Sequence, residues 1–397
     1  MRQSNKKASY PSLLRYPIVV VLLAVLLTGG FVVWAHADSP SVFSFIVDEN
    51  TKKAEKPAVP QPPHPSHITT PHSVKALYMT SWVAGTPRIR AHVVKLLKDT
   101  EANAVVIDIK DDTGHIAYLP YDPELLKIGS GEERIKDIRE FIESLHRDGV
   151  YVIGRIATFQ DPFMAKHRPD LAVRRSSDGE VWKDRKGISW IDAGASEHWE
   201  YIAKIGLDAY KYQGFDEINF DYIRFPSDGN MLDIDYRFYD AKKLTKPEQM
   251  GRFFSYIHDR FLDSGATISA DLFGMTTTNT DDLGIGQVLE VALPYFDYVC
   301  PMVYPSHYPP TWSGYKNPAA NPYEVIKISM GGGVLRAKMA STSPLKLRPW
   351  LQDFDMGATY TAEMVRAQMK ATYDVGLTSW FLWDPRNEYT DGALLPE

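Results

Sequence analysis

Cysteine is almost absent: Cys300 stands alone in a chain of 397 residues. An intrachain disulfide and a Cys-based zinc site are therefore excluded. Basic excess is missing too. Lys and Arg number 44 against 50 Asp and Glu, a formal net charge of −6. A nucleic-acid partner, which wants a basic stripe, is not expected. No glycine-rich phosphate turn follows an early strand pattern. The run Gly331-Gly332-Gly333 comes late and does not follow a strand, which argues against a doubly wound nucleotide-binding sheet. No His-x-x-x-His zinc motif occurs among the eleven His, and four of them (His36, His64, His67, His72) fall in the first 72 residues.

What the chain has in quantity is aromatic side chains. They make up 12%, with nine Trp and 22 Tyr. Ring faces pack well on the apolar faces of sugars, and equally well in cores. At the N-terminus, Arg2, Lys6, Lys7 and Arg15 precede an apolar run from Pro17 to Trp34, then Ala35-His36-Ala37. The pattern reads as a signal peptide or an N-terminal membrane anchor over residues 1–37, since the run is near the ~18-residue minimum for a span. Either reading places the rest outside the cytoplasm, extracellular or on the outer face of the cytoplasmic membrane. Residues 38–72 are expected to be a Pro-rich linker, with Pro57, Pro60, Pro62, Pro63, Pro65 and Pro71 among polar residues.

From residue 73 to 397 short β-rich runs alternate with amphipathic segments. Strands are expected at Lys75–Thr80, Ala104–Lys110, Tyr151–Ala157, Glu217–Tyr222, Thr267–Leu272, Tyr298–Tyr304, Leu347–Gln352 and Ser379–Trp383. Helices are expected at 88–99, 133–148, 197–213, 247–264, 322–330 and 361–375. Eight strands with intervening helices point to a single (β/α)8 TIM barrel. Two long connections, 158–196 and 305–321, follow the third and sixth strands and would shape the C-terminal face. The first holds an expected hairpin with Asp178-Gly179 at its turn.

Alternate residues of a barrel strand face the axis, and those at its C-terminal end face the active site. In the fourth strand this aims Glu217, Asn219 and Asp221 inward, and Ile218, Phe220 and Tyr222 toward the helices. In the fifth it aims Thr267, Ser269 and Asp271 inward. Neighbouring strands lie ~4.8 Å apart, so Asp221 and Asp271 form a candidate catalytic pair for glycoside hydrolysis. Asp108, Lys110, Arg155, Asn219, Arg224, Gln352 and Asp384 are candidate binding or tuning groups. Trp82, Tyr304, Trp350 and Trp383 are candidate sugar platforms. No metal or organic cofactor is expected, although Asp108, Asp111 and Asp112 together allow a metal-assisted alternative.

The run Gly214-Phe215-Asp216-Glu217-Ile218-Asn219-Phe220-Asp221-Tyr222-Ile223-Arg224-Phe225-Pro226 resembles the fourth-strand signature of a glycoside hydrolase domain family long catalogued as a domain of unknown function. The resemblance continues in Val105–Gly114, Tyr151–Arg155, Trp190–Asp192 and Ser269–Gly274, and spans residues 74–390. It implies a distant relation to α-amylase-like barrels, with the nucleophilic Asp ending the fourth strand and the acid ending the fifth. Asp221 and Asp271 match those places. Two departures stand out: the fifth strand offers Asp rather than Glu, and Asn219 replaces the expected Arg, for which Arg224 is a candidate substitute. The resemblance supplies no substrate; together with the expected export, the expected function is hydrolysis of an extracellular or cell-envelope polysaccharide. The alternative is a catalytically silent barrel that binds polysaccharide.

Overall fold

The alternation of β-branched runs and amphipathic segments closes on itself in a computed structural model that describes residues 64–396. Eight strands form the barrel: β1 (Lys75–Met79), β2 (Ala104–Lys110), β3 (Tyr151–Ala157), β4 (Glu217–Asp221), β5 (Thr267–Phe273), β6 (Tyr298–Met302), β7 (Trp350–Gln352) and β8 (Trp380–Trp383). They pair in parallel in chain order, and β8 returns to β1. The helices that lead into β2 to β8 are α1 (Pro87–Asp99), α2 (Ile138–Arg147), α3 (Ser196–Asp208), α4 (Lys246–Phe261), α5 (Leu289–Ala292), α6 (Pro322–Met339) and α7 (Ala362–Asp374), and further short helices lie at Ser81–Ala84, Pro123–Ile128 and Pro162–His167. This is the expected (β/α)8 barrel. The expected leader, and the linker as far as residue 63, lie outside the described residues.

Local chemistry sets the element ends. Helix α4 opens with a capping box, in which the Thr245 side chain and Glu248 satisfy each other's backbone N–H, and Pro247 follows the cap. Strand β7 is shorter than its apolar run because Pro349 has no N–H to give to a ladder. Helix α6 runs through the three glycines instead of ending before them. A Cβ on Gly332 would sit 3.0 Å from the Thr277 carbonyl, so the glycines let α6 lie close against the turn after β5.

Two apolar layers result. Ala76, Val106, Ile153, Cys300 and Phe381 fill the barrel interior. Val105, Ile107, Ile218, Phe220 and Ile268 face outward with the buried faces of the helices. The alternation in β4 is therefore as the sequence implies: Phe220 packs edge-on against Phe261 of α4, while Glu217 and Asn219 point inward.

The lower interior is polar and closed. The Arg348 Nη1 donates to Glu217 Oε2 at 2.8 Å, with both side chains 1% exposed or less. The Tyr151 hydroxyl donates to the same oxygen at 3.0 Å. Thr70, from chain read as linker, bonds the Tyr151 hydroxyl and the Thr267 hydroxyl at 3.0 and 3.2 Å. Close by, the Ile68 N–H donates to Asp216 at 2.7 Å. The end of the linker segment is thus strapped across the N-terminal end of the barrel.

On the other end, the segment after β3 carries the expected hairpin, with Gly179 in the left-handed region at φ 76°. Residues 222–245, a long connection the sequence did not single out, contribute Ile234–Asp235. These pair antiparallel with Arg174–Arg175 of the hairpin. The two loops form one wall over β3 and β4.

Arg348→Met leaves Glu217 buried without its cation, at a cost of about 3–5 kcal/mol. Urea unfolding is expected to show that loss, and Arg348→Met/Glu217→Gln to recover much of it. A loss under ~1 kcal/mol, the scale of an exposed pair, would contradict the account.

Candidate active site

Asp221 ends β4 at the C-terminal mouth and is 5% exposed. Arg155, one strand away on β3, donates to Asp221 Oδ2 from Nε at 3.0 Å and from Nη2 at 2.5 Å. Its Nη1 donates to Asp108 Oδ1 at 2.7 Å, and Tyr78 donates to Asp108 Oδ2 at 2.6 Å. One guanidinium thus spans three strands. Burial opposes its charge, but Asp221 and Asp108 outweigh burial and hold the Arg155 pKa well above its ordinary value. The other oxygen of Asp221 accepts the Tyr222 N–H at 2.6 Å.

Asp271 lies near the C-terminal end of the adjacent strand and is 1% exposed. Its Oδ1 accepts from Trp350 Nε1 at 2.8 Å and from Asn219 Nδ2 at 2.9 Å. Its Oδ2 has no hydrogen-bond partner among the described residues. Arg155 Nε stands 3.9 Å from that oxygen, too far for a hydrogen bond. Burial, then the charge of Asp221, pushes the Asp271 carboxyl well above the usual carboxylate range, and Arg155, Asn219 and Trp350 only partly offset this.

The shared guanidinium bounds the separation of the pair. Nε lies 3.0 Å from Asp221 Oδ2 and 3.9 Å from Asp271 Oδ2, so these oxygens are at most about 7 Å apart. That limit is compatible with the ~5–9.5 Å over which paired carboxyls cleave glycosidic bonds. Both acids line a cleft of about 540 Å³. Its charged floor is Arg155, Asp221, Asp271 and Arg224, and its walls include Phe273, Met275, Leu283, Ile285, Met302 and Phe354.

Tyr304, Trp350 and Trp383 line this cleft as expected. Trp383 stacks on Tyr78 at 3.8 Å between ring centroids, and Trp350 meets Trp383 edge-on at 5.5 Å. Other expectations need correction. Lys110 is fully buried and pairs with Asp161 at 3.0 Å, because the β2 register shifts between Asp108 and Lys110 and carries it away from the cleft. Gln352, also buried, binds the Ser306 N–H and the Phe354 carbonyl, fastening the loops after β6 and β7. Asp384 accepts the N–H groups of Arg386 and Glu388, so it organises the loop after β8. Asn219 touches Asp271 and Ser269 beneath the cleft rather than lining it. Trp82 is 60% exposed outside the cleft, stacked on Arg134 at 4.5 Å.

Asp111 is engaged by Arg134, Thr113 and Ser81. Among the described residues no group of three His, Cys, Asp or Glu is placed to hold a metal ion. Arg224 makes no ion pair with Asp221; the cation that does is Arg155, on the neighbouring strand. Tyr222 is the other departure. Its φ of 51° breaks the strand alternation and brings its ring to the cleft instead of the helices. A non-glycine residue in that region costs on the order of 1 kcal/mol or more, and such strain concentrates at functional sites. His307 was not singled out from the sequence because it sits in a loop with no motif; it lines the cleft, and burial lowers its pKa.

The chain belongs to the family described as "Putative glycosyl hydrolase domain", whose model matches residues 76–389. No match was found among curated proteins. A hypothetical protein from Ruminiclostridium thermocellum ATCC 27405 is 31% identical, with 52% of this chain and 98% of that one covered, at a TM-score of 0.44. The PgaB (BpsB) glycoside hydrolase domain from Bordetella bronchiseptica is 15% identical, with 79% and 95% covered, at 0.56. The α-L-fucosidase isoenzyme 2 from Paenibacillus thiaminolyticus is 12% identical, with 81% of this chain and 47% of that one covered, also at 0.56. At those identities the last two establish the shared barrel. The chain is a glycoside hydrolase-type (β/α)8 barrel.

The raised pKa of Asp271 has a consequence for stability. A carboxyl whose pKa is higher folded than unfolded contributes stability below the unfolded value, ~3.9, and loses it as pH rises through the folded value. Asp271→Asn keeps an oxygen for Trp350 and removes the titration. Denaturant unfolding is expected to show the variant gaining on the wild type as pH rises above ~4, at up to ~1.4 kcal/mol per pH unit. A stability difference that does not change with pH would contradict this assignment.

Proposed function

We propose that the barrel hydrolyses glycosidic bonds of an extracellular or cell-envelope polysaccharide, with Asp221 as nucleophile or base and Asp271 as general acid. The observation that carries this reading is the unequal treatment of two close carboxyls. Arg155 donates two hydrogen bonds to Asp221 and none to Asp271. Acid–base cleavage needs such a pair, one member charged and the other holding a proton.

The chemistry follows from the free oxygen. Asp271 Oδ2 gives its proton to the glycosidic oxygen as the bond to the anomeric carbon breaks. Asp221, oriented by Arg155 and the Tyr222 N–H, meets the positive charge that develops there, either by direct attack or by activating a water. The new negative charge on Asp271 lies 3.9 Å from the Arg155 Nε, which stabilises it until a proton is taken back from water. The bound of about 7 Å on the pair admits both the retaining and the inverting course. The half-buried ring of Trp383 would pack on a sugar face, with the buried Trp350 and Tyr304 behind it. Remote separation of the carboxyls would have favoured a binding-only barrel; their closeness supports catalysis. Export rests on the basic and apolar character of residues 1–37, with the chain beyond them as a spacer that leads into the barrel.

With purified protein and a panel of bacterial polysaccharides, Asp221→Asn and Asp271→Asn are each expected to lower kcat by about 10²–10⁴. Undiminished hydrolysis by Asp221→Asn sinks the proposal. Aryl glycosides with good leaving groups need no acid, so on them Asp271→Asn is expected to recover much of its rate. The alkaline limb of wild-type kcat/KM is expected well above the usual carboxylate range and absent in Asp271→Asn. An unchanged limb would move the acid role elsewhere.

A further inference from the structure

Arg224 is the one prominent cleft group that neither the pair nor its support uses. It follows β4 by three residues, and its guanidinium lies against two rings, 4.9 Å from the centroid of Trp190 and 5.5 Å from that of Tyr222. Its Nη1 donates to the Phe225 carbonyl at 3.0 Å and to the Ser227 hydroxyl at 3.1 Å. Those contacts fix its direction and use one nitrogen. Among the described residues Arg224 forms no ion pair. The carboxylates that act on it at longer range are Asp221, Asp228 and Asp184. Of these, Asp221 is taken by Arg155, Asp184 is taken by Gln160, Trp190 and the Lys186 and Ile188 N–H groups, and the half-buried Asp228 acts on Arg224 only at a distance, without an ion pair.

A mostly buried cation without a partner is unfavourable. Burial is the largest influence on Arg224 and lowers its pKa. Every other strongly buried Arg of the barrel interior has a carboxylate: Arg155 has Asp221 and Asp108, and Arg348 has Glu217. Leaving a buried charge unpaired is unfavourable, and a planar guanidinium fixed by rings is suited to a bidentate oxyanion. The side chain keeps some exposure, and that exposure is to the cleft. The geometry points to a substrate that supplies the missing charge itself.

We propose that the cleft takes an acidic sugar, whose carboxylate or sulfate or phosphate ester sits on the guanidinium of Arg224 while the glycosidic bond lies between Asp221 and Asp271. This rests on the reading of the cleft as a glycoside-hydrolase site and names its substrate class. Trp190 and Tyr222 hold the cation in place, and the strained backbone of Tyr222 is what brings the second ring to it.

The test is a binding comparison with the full barrel protein carrying Asp271→Asn, so that no probe is consumed. The probes are uronic acid oligosaccharides, sulfated and phosphorylated counterparts, and neutral oligosaccharides of the same size. Acidic probes are expected to bind at least ~10-fold tighter, the equivalent of ~1.4 kcal/mol, and to weaken as salt rises. Arg224→Gln and Arg224→Met are expected to abolish the preference, and Arg224→Lys to keep part of it, with thermal melting confirming that each variant folds. The uronic and ester arms show which oxyanion is preferred. Equal or tighter binding of neutral probes, no binding of any acidic probe, or a preference that survives Arg224→Gln overturns the proposal. Charge-dependent binding by a wild type that cleaves nothing would leave this inference standing and remove the hydrolase reading. Hydrolysis of neutral glycans without charge preference would do the reverse.

Discussion

The guanidinium of Arg155 meets Asp221, Asp108 and Asp271 at 2.5, 2.7 and 3.9 Å. Three acids share one cation, and the distances rank them. Asp221 and Asp108 receive charge-assisted hydrogen bonds, and burial raises the Asp108 carboxyl against the pull of Arg155 and Tyr78. Asp271 receives none from Arg155 and instead feels Asp221. At no more than about 7 Å and an effective dielectric of ~20, repulsion between two such charges is at least roughly 2 kcal/mol, added to the cost of burying a second anion. The protonated form of Asp271 is the one this surrounding favours. Arg155 therefore distinguishes the two carboxyls, bonding Asp221 and leaving Asp271 to Trp350 and Asn219.

The barrel supplies the rigidity this arrangement needs. Arg155, Asp221 and Asp271 come from three consecutive strands with continuous ladders, Arg155 opposite Asn219 and Asn219 opposite Ser269. Trp350, from β7, holds Asp271 from the far side. Below them Glu217 and Arg348 close the interior, and residues 68–70 bond across its base. The interior is thus layered: a strapped polar base, an apolar belt, and a charged mouth.

Much of this was legible in the sequence because a strand's side-chain period of two gives each residue a side. Asp221 and Asp271 followed from that rule and from position in the strand. The rule failed where the backbone departs from a regular strand. A register shift in β2 takes Lys110 to Asp161, and a positive φ takes Tyr222 to the cleft. Neither leaves a mark in composition or periodicity. Arg155 was visible as an inward cation, but its partnership with Asp221 depends on the register between β3 and β4, which no single strand reveals. Gln352 and Asp384 show a further limit: a polar residue at a strand's end serves a loop's hydrogen bonds as readily as a ligand. His307 and the apolar wall from the β5 loop come from irregular chain, where tertiary packing alone decides what faces the cleft.

The central claim is that at neutral pH one carboxyl of the pair, Asp271, holds a proton that the other does not. Infrared difference spectroscopy of the wild type against Asp271→Asn reads this directly, because a protonated carboxyl and a carboxylate absorb in separate regions. The expected result at neutral pH is a protonated-carboxyl band in the wild type that is absent from Asp271→Asn and retained in a control substitution of an exposed acid such as Asp170→Asn. A wild type with no such band, or a band that survives Asp271→Asn unchanged, would contradict the division of roles on which the proposed reaction depends.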